Sequence, residues 1–118
     1  MELSTIRENR REHELALAET LQQVVAALAE RPDVECVILF GSYREGRRDL
    51  FTDLDLLIVL ATDLDFLSRT AQMYQYLSAP VDMDLLAYTP EELERIRDRP
   101  FISRILEQGE ILYEKQGV

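Results

Sequence analysis

Histidine and cysteine are nearly missing from this sequence: His13 and Cys36 stand alone, and there is no tryptophan. A single thiol cannot close an internal disulfide, which points to a reducing compartment. One histidine and one cysteine also leave no ligand set for zinc and no basis for Ser-His-Asp or Cys-His catalysis. Cys36 lies in an apolar run with Val34, Val37 and Ile38 and fits a small core residue. His13 sits in a charged stretch and is expected at the surface. Positive charge is scarce too, with 13 Lys and Arg against 23 Asp and Glu and a net charge of −10. Affinity for nucleic acid comes largely from neutralising phosphates with Lys and Arg, so a general DNA or RNA binder is a poor fit. No apolar run approaches the length of a membrane span, and the N-terminus lacks the apolar core of a signal peptide. Together these absences lead us to expect a cytoplasmic protein with neither membrane nor nucleic acid as a partner.

What is present is enough for one domain over residues 1–118, since 47% of the chain is apolar. A domain this small keeps a high surface-to-volume ratio, and a homo- or hetero-oligomer would help cover its sheet edges. Residues 1–31 are expected to form an N-terminal helix. Thr5 and Glu8 have capping-box spacing, and Leu15, Leu17, Leu21, Val24, Val25 and Leu28 recur with helical period. Arg31-Pro32-Asp33 ends it. Val34 to Phe40 reads as a buried strand that stops at Gly41-Ser42. A second strand follows from Asp53 to Leu60. A helix comes next, from about Asp65 to Leu77, capped by Asp63, with Phe66, Leu67, Met73, Tyr74 and Leu77 on its buried face. A third strand covers Val81 to Tyr88. Thr89-Pro90-Glu91-Glu92 carries a capping box and a proline at the first helical position. A last helix over Phe101 to Gln108 has Gly109 as its C-cap, and Ile111 to Tyr113 forms a terminal strand. This order predicts an α/β (α+β) fold, a small mixed sheet with helices packed mainly on one side. The chain looks too short to cover both faces.

The sharpest chemical feature is Asp53-Leu54-Asp55. Side chains alternate along a strand, so both carboxylates point the same way, followed on that face by Leu57 and Val59. Carboxylates that close repel, and partial burial makes their charge expensive. A divalent cation resolves both problems, and Mg²⁺ suits carboxylates plus substrate phosphates. An isolated Asp-x-Asp is more often a solvated strand end, but the third strand repeats the pattern with Asp82 and Asp84. Acidic residues are depleted in strands, and two such pairs are hard to ascribe to packing. Either Asp82 or Asp84 could converge with the first pair if the strands are neighbours. Gly41 lets backbone approach a phosphate closely, and the Ser42 hydroxyl can donate to one. Arg44, Arg47 and Arg48 could add phosphate contacts or belong to a solvated loop.

Gly41-Ser42, ten intervening residues and Asp53-x-Asp55 resemble the pattern of the polymerase-β-like nucleotidyltransferase superfamily. The likeness is greater still to the minimal nucleotidyltransferases encoded beside HEPN-domain proteins. The stretch Val37 to Val59 carries most of it, and the segment from Asp84 to Glu92 is similar to the family's third-aspartate strand and following helix. Thr52 stands where serine is usual, the loop is richer in arginine, and Asp82 is an extra carboxylate. The resemblance implies a catalytic core over residues 34–113, with Asp53, Asp55 and Asp84 as catalytic residues and ligands of a pair of Mg²⁺ ions. It implies that Gly41, Ser42, Arg44 and Arg47 bind the nucleotide. It also implies transfer of a nucleoside monophosphate with release of pyrophosphate. The short chain has no room for the helical acceptor domain of aminoglycoside enzymes, and its charge argues against a template groove. The expectation is therefore an antitoxin-like enzyme that moves AMP from ATP to a hydroxyl of a HEPN-type ribonuclease partner. The alternatives are a non-catalytic module that binds nucleotide or neutralises its partner by forming a complex, and transfer to a small molecule.

Overall fold

A computed structural model describes residues 2–116, without the side chain of Glu2. Helix α1 spans Glu2–Ala29, strand β1 Val34–Phe40, helix α2 Gly41–Arg44 and strand β2 Leu54–Leu60. Helix α3 spans Phe66–Tyr76, strand β3 Met83–Tyr88, helix α4 Pro90–Ile96, helix α5 Pro100–Gln108 and strand β4 Glu110–Glu114. The sequence-based order of elements is reproduced, with β1 as expected and the starts of the other three strands shifted by one or two residues. Met1, Gly117 and Val118, which the expected helix and domain bounds include, lie outside the described residues.

The four strands form one sheet in the order β3-β2-β1-β4. β1 runs antiparallel to β2 and β4, and β2 runs parallel to β3. The parallel pair needs a crossover, and α3 supplies it.

Alternation along the strands sorts the core into two layers. Val37, Leu39, Leu56, Ile58, Leu85 and Ala87 face one way and meet Val24 and Leu28 of α1, Met73 of α3 and Leu77, which caps α3. Ile38, Leu57 and Val59 face the other way and meet Ile102 and Ile105 of α5, with Leu93 and Ile96 of α4 alongside. Each fully buried Val, Leu, Ile or Met among these contributes about 1.5–3 kcal/mol by leaving water. The larger helical layer is on one side, as expected. The length of the chain does not leave the second face bare, however, because two short helices of seven and nine residues reach across it.

Several local expectations change. Asp65, not Asp63, caps α3, its side chain accepting from Ser68 N at 2.8 Å. The buried stripe of α3 is Arg69, Met73 and Leu77, one residue per helical turn, while Leu67 is 79% exposed. Gly109 does end α5, with a φ of −69° rather than a left-handed one. Its lack of a side chain matters for space, because a Cβ there would stand 2.5 Å from Ile105 O and from Ile38 Cγ2. His13 is half-buried rather than superficial. Its Nε2 lies 3.0 Å from Thr52 O, tying α1 to the loop that enters β2. Among the described residues, no helix is long and apolar enough to cross a membrane.

Candidate active site

The site begins where β1 ends. Gly41 has a φ of +78°, a conformation that favours glycine, and it turns the chain directly into the short helix α2. A Cβ on Gly41 would stand 2.0 Å from Asp55 Oδ2 and 2.8 Å from Asp55 Cγ. The missing side chain is therefore what lets the Asp55 carboxylate lie against the turn.

The ten-residue connection from Ser42 to Asp53 is braced internally. Arg47 N donates to Ser42 O at 2.9 Å, and Gly46 N to Tyr43 O at 3.1 Å. The Arg48 guanidinium lies 3.5 Å above the Tyr43 ring and donates to Tyr43 O at 2.7 Å. Asp49 and Thr52 close a ring of hydrogen bonds: Asp49 N donates to Thr52 Oγ1 at 3.0 Å, and Thr52 Oγ1 to Asp49 Oδ1 at 3.2 Å. Thr52 is fully buried. The hydroxyl at this position thus builds the loop that delivers Asp53, a job that serine or threonine can do.

Strand alternation then puts Asp53 and Asp55 on the face covered by α5. In the sheet, Asp55 lies between Phe40 of β1 and Asp84 of β3, each directly opposite in register. Adjacent strands are about 4.8 Å apart, so two carboxylates meet side by side. Burial, then the hydrogen bond shared with Asp84, then the charges of Asp84 and Asp53, raise the Asp55 carboxyl to about 7.

Phe40, Gly41, Arg44, Asp55, Tyr74 and Asp84 line a cavity of about 520 Å³, which α5 closes with Phe101, Arg104 and Ile105. The fold therefore brings Gly41, Arg44, Asp55 and Asp84 together. Ser42 adjoins Gly41 and is half-buried, and Asp53 precedes β2 and acts on Asp55 through its charge. Neither lines the cavity. Both β3 carboxylates are exposed, but Asp84 lines the cavity, while Asp82 stands at the strand entry, its backbone O accepting from Leu54 N at 3.1 Å. Arg47 is not brought there: its Nε pairs with Asp49 Oδ2 at 2.6 Å on the exposed side of the loop.

Sequence reasoning missed Tyr74, Phe101 and Arg104. The last two share a helical stripe with Ile105 and Gln108 at i, i+3, i+4 and i+7, a signal that marks one face of α5 without saying what it covers. Among the described residues, no group of three or more His, Cys, Asp or Glu side chains is drawn together as a ready metal cage. The donor chemistry still suits a hard divalent cation. Asp55 and Asp84 are paired carboxylates whose mutual repulsion such an ion would relieve.

The sequence matches the family model for polymerase beta nucleotidyltransferases over residues 22–117. No curated protein matches it. Among solved structures, a candidate nucleotidyltransferase from Sulfolobus solfataricus aligns with a TM-score of 0.62 at 16% identity, covering 90% of this chain and 87% of that one. A mutant of the toxin–antitoxin MntA-HpeT aligns with a TM-score of 0.51 at 23% identity over 80% of this chain and 72% of that one. A toxin–antitoxin with AMP-PNP aligns with a TM-score of 0.51 at 21% identity, covering 83% and 73%. At these identities the structures speak for the fold, and the family model speaks for descent. With that model matched over residues 22–117, the chain belongs to the polymerase beta nucleotidyltransferase family.

Proposed function

We propose that this protein transfers AMP from ATP to a hydroxyl on a HEPN-type partner protein, as an antitoxin that modifies a ribonuclease toxin. The observation that carries the transferase reading is the juxtaposition of Asp55 and Asp84, in register on neighbouring strands and pressed against the side-chain-free turn at Gly41. The partner reading draws on the likeness to toxin–antitoxin structures, one of them with AMP-PNP, and on a chain with a net charge of −10.

In this reading Asp53, Asp55 and Asp84 hold two Mg²⁺ ions. Mg²⁺ held there would supply the positive charge that lets an acidic site accept a triphosphate. The Gly41-Ser42 turn cradles the β- and γ-phosphates, and Arg44 adds a charged donor from the cavity wall. Phe40, Phe101 and Ile105 contribute to the apolar part of that wall. Asp84 takes the proton of the acceptor hydroxyl as its oxygen bonds to the α-phosphorus and the bond to pyrophosphate breaks. Most of the rate then comes from positioning and neutralised charge.

The test is the intact mass of a HEPN-type protein encoded beside this chain's gene, after incubation with this protein, ATP and Mg²⁺. AMP-sized increments are expected, and they should vanish with Asp53→Asn/Asp55→Asn. A stable complex with unchanged partner mass would replace this reading with neutralisation by binding alone.

A further inference from the structure

Among the described residues the sheet ends on β3, so one side of that strand has no neighbouring strand. Peptide groups along a strand point alternately to its two edges. Asp82 O accepts from Leu54 N at 3.1 Å and so faces β2. The peptide groups of Met83 and Leu85 that lie on either side of Asp84 therefore turn to the open edge. Such groups need partners, from water or from the protein. Tyr74 of α3 serves both, its hydroxyl donating to Met83 O at 3.1 Å and accepting from Leu85 N at 2.9 Å. A single hydroxyl thus stands in for a fifth strand at one residue, and that residue is Asp84. The Tyr74 ring also lines the cavity beside the carboxylates.

We propose that Tyr74 is a positioning residue: it clamps the backbone on both sides of Asp84 and so keeps that carboxylate in register with Asp55, ready to take up a divalent cation. This rests on the metal-binding reading above. Second-layer groups that orient ligands commonly change metal affinity by about 10–100-fold. Helix α3 supplies its own control, because Tyr76 makes a comparable bond away from the site, donating to Ala27 O at 2.9 Å. Loss of either hydroxyl removes one tyrosine's bonding to a neighbouring element, but only one of them flanks Asp84.

The experiment compares Tyr74→Phe and Tyr76→Phe with the wild type by calorimetric titration of Mn²⁺ and by residue-resolved amide exchange. Tyr74→Phe is expected to speed exchange at the Leu85 amide and weaken Mn²⁺ binding about tenfold. Tyr76→Phe should bind Mn²⁺ like the wild type. Unchanged Mn²⁺ affinity in Tyr74→Phe despite faster Leu85 exchange would make Tyr74 an edge cap only and overturn the proposal. So would an equal loss of affinity in both variants, which signals general loosening. A wild type that takes up no Mn²⁺ fails at the earlier step, sinking the metal reading itself and this inference with it.

Discussion

A methyl group at Gly41 would meet the Asp55 carboxylate at 2.0 Å, closer than nonbonded atoms come. The same substitution at Gly46 would meet nothing within 4 Å, although Gly46 also has a positive φ, of +102°. The two glycines thus separate backbone strain from damage to the site. Placing alanine in the left-handed region costs about 1–2 kcal/mol at either position. Gly41→Ala must in addition displace Asp55, and a shift of about 1 Å in a catalytic group can cost about a hundredfold in rate. Both variants should lose stability in urea unfolding, Gly41→Ala at least as much as Gly46→Ala, with nucleotidyl transfer falling about a hundredfold in Gly41→Ala alone. Equal activity losses in the two would remove the contact with Asp55 from the explanation. The spacing of Gly41-Ser42 and Asp53-x-Asp55 was legible in the sequence because it lies within one loop. The division of labour among the arginines was not. Arg44 reaches the cavity and Arg47 does not, and what separates them is the ion pair of Arg47 with Asp49.

At the scale of elements, the joint between α3, β3 and α4 turns on a buried cation. Arg69 is 4% exposed and donates to Leu64 O, Ala87 O and both carboxylate oxygens of Glu92. Glu92 also completes the capping box with Thr89, accepting from Thr89 N at 2.9 Å. The capping box was visible in the sequence, since it needs only four consecutive residues. The use of Glu92 as the counter-ion of a residue 23 positions away was not. Nor was the burial of Arg69, since helical period alone favours apolar candidates such as Phe66 and Leu67. Arg69, followed by the Thr89 amide, pulls the Glu92 carboxyl down to about 2 from an ordinary 4.5. For an acid whose folded value is depressed, the stabilisation is present above the unfolded value and is lost as pH falls through the folded one. The window here runs from about 4.5 down to about 2. With screening at a carboxylate 29% exposed, the loss over that window is about 1–2 kcal/mol. Urea unfolding of the wild type and Glu92→Gln should therefore differ most near neutral pH and converge toward pH 2. Arg69→Ala should cost about 3 kcal/mol at neutral pH, because it strands Glu92 and the buried carbonyl of Ala87. A constant gap between wild type and Glu92→Gln across this range would mean that the pair does not stabilise through its charge.

Across the whole molecule, the sheet has a thick face and a thin one, and the carboxylates are on the thin one. That placement follows from alternation. Asp53 and Asp55 share parity with Leu57 and Val59, and those residues pack under α5. Strand parity was legible in the sequence, but which helices lie over which face was not, because that depends on how the connections cross the sheet. The site therefore acquires a helical wall from residues far along the chain, Phe101 and Arg104, whose pattern carries no chemical label. Charge acts at the same scale. The protein carries −10 overall, and its cavity sets Glu45, Asp55 and Asp84 against Arg44 and Arg104. ATP is itself strongly anionic, so the free nucleotide meets a repulsive molecule and a site with one more acid than base. A divalent cation reverses that local balance. ATP with Mg²⁺ should accordingly raise the melting temperature, with a stabilisation of about 2.7 kcal/mol once ligand reaches a hundred times its Kd. ATP with EDTA should give no shift. In Asp53→Asn/Asp55→Asn the dependence should weaken in both directions, because fewer carboxylates repel the nucleotide and fewer hold the metal. The size of the shift should fall as salt screens the charges. A full shift with ATP and EDTA would show that Arg44 and Arg104 suffice to hold the phosphates, and would take the carboxylates out of nucleotide binding altogether.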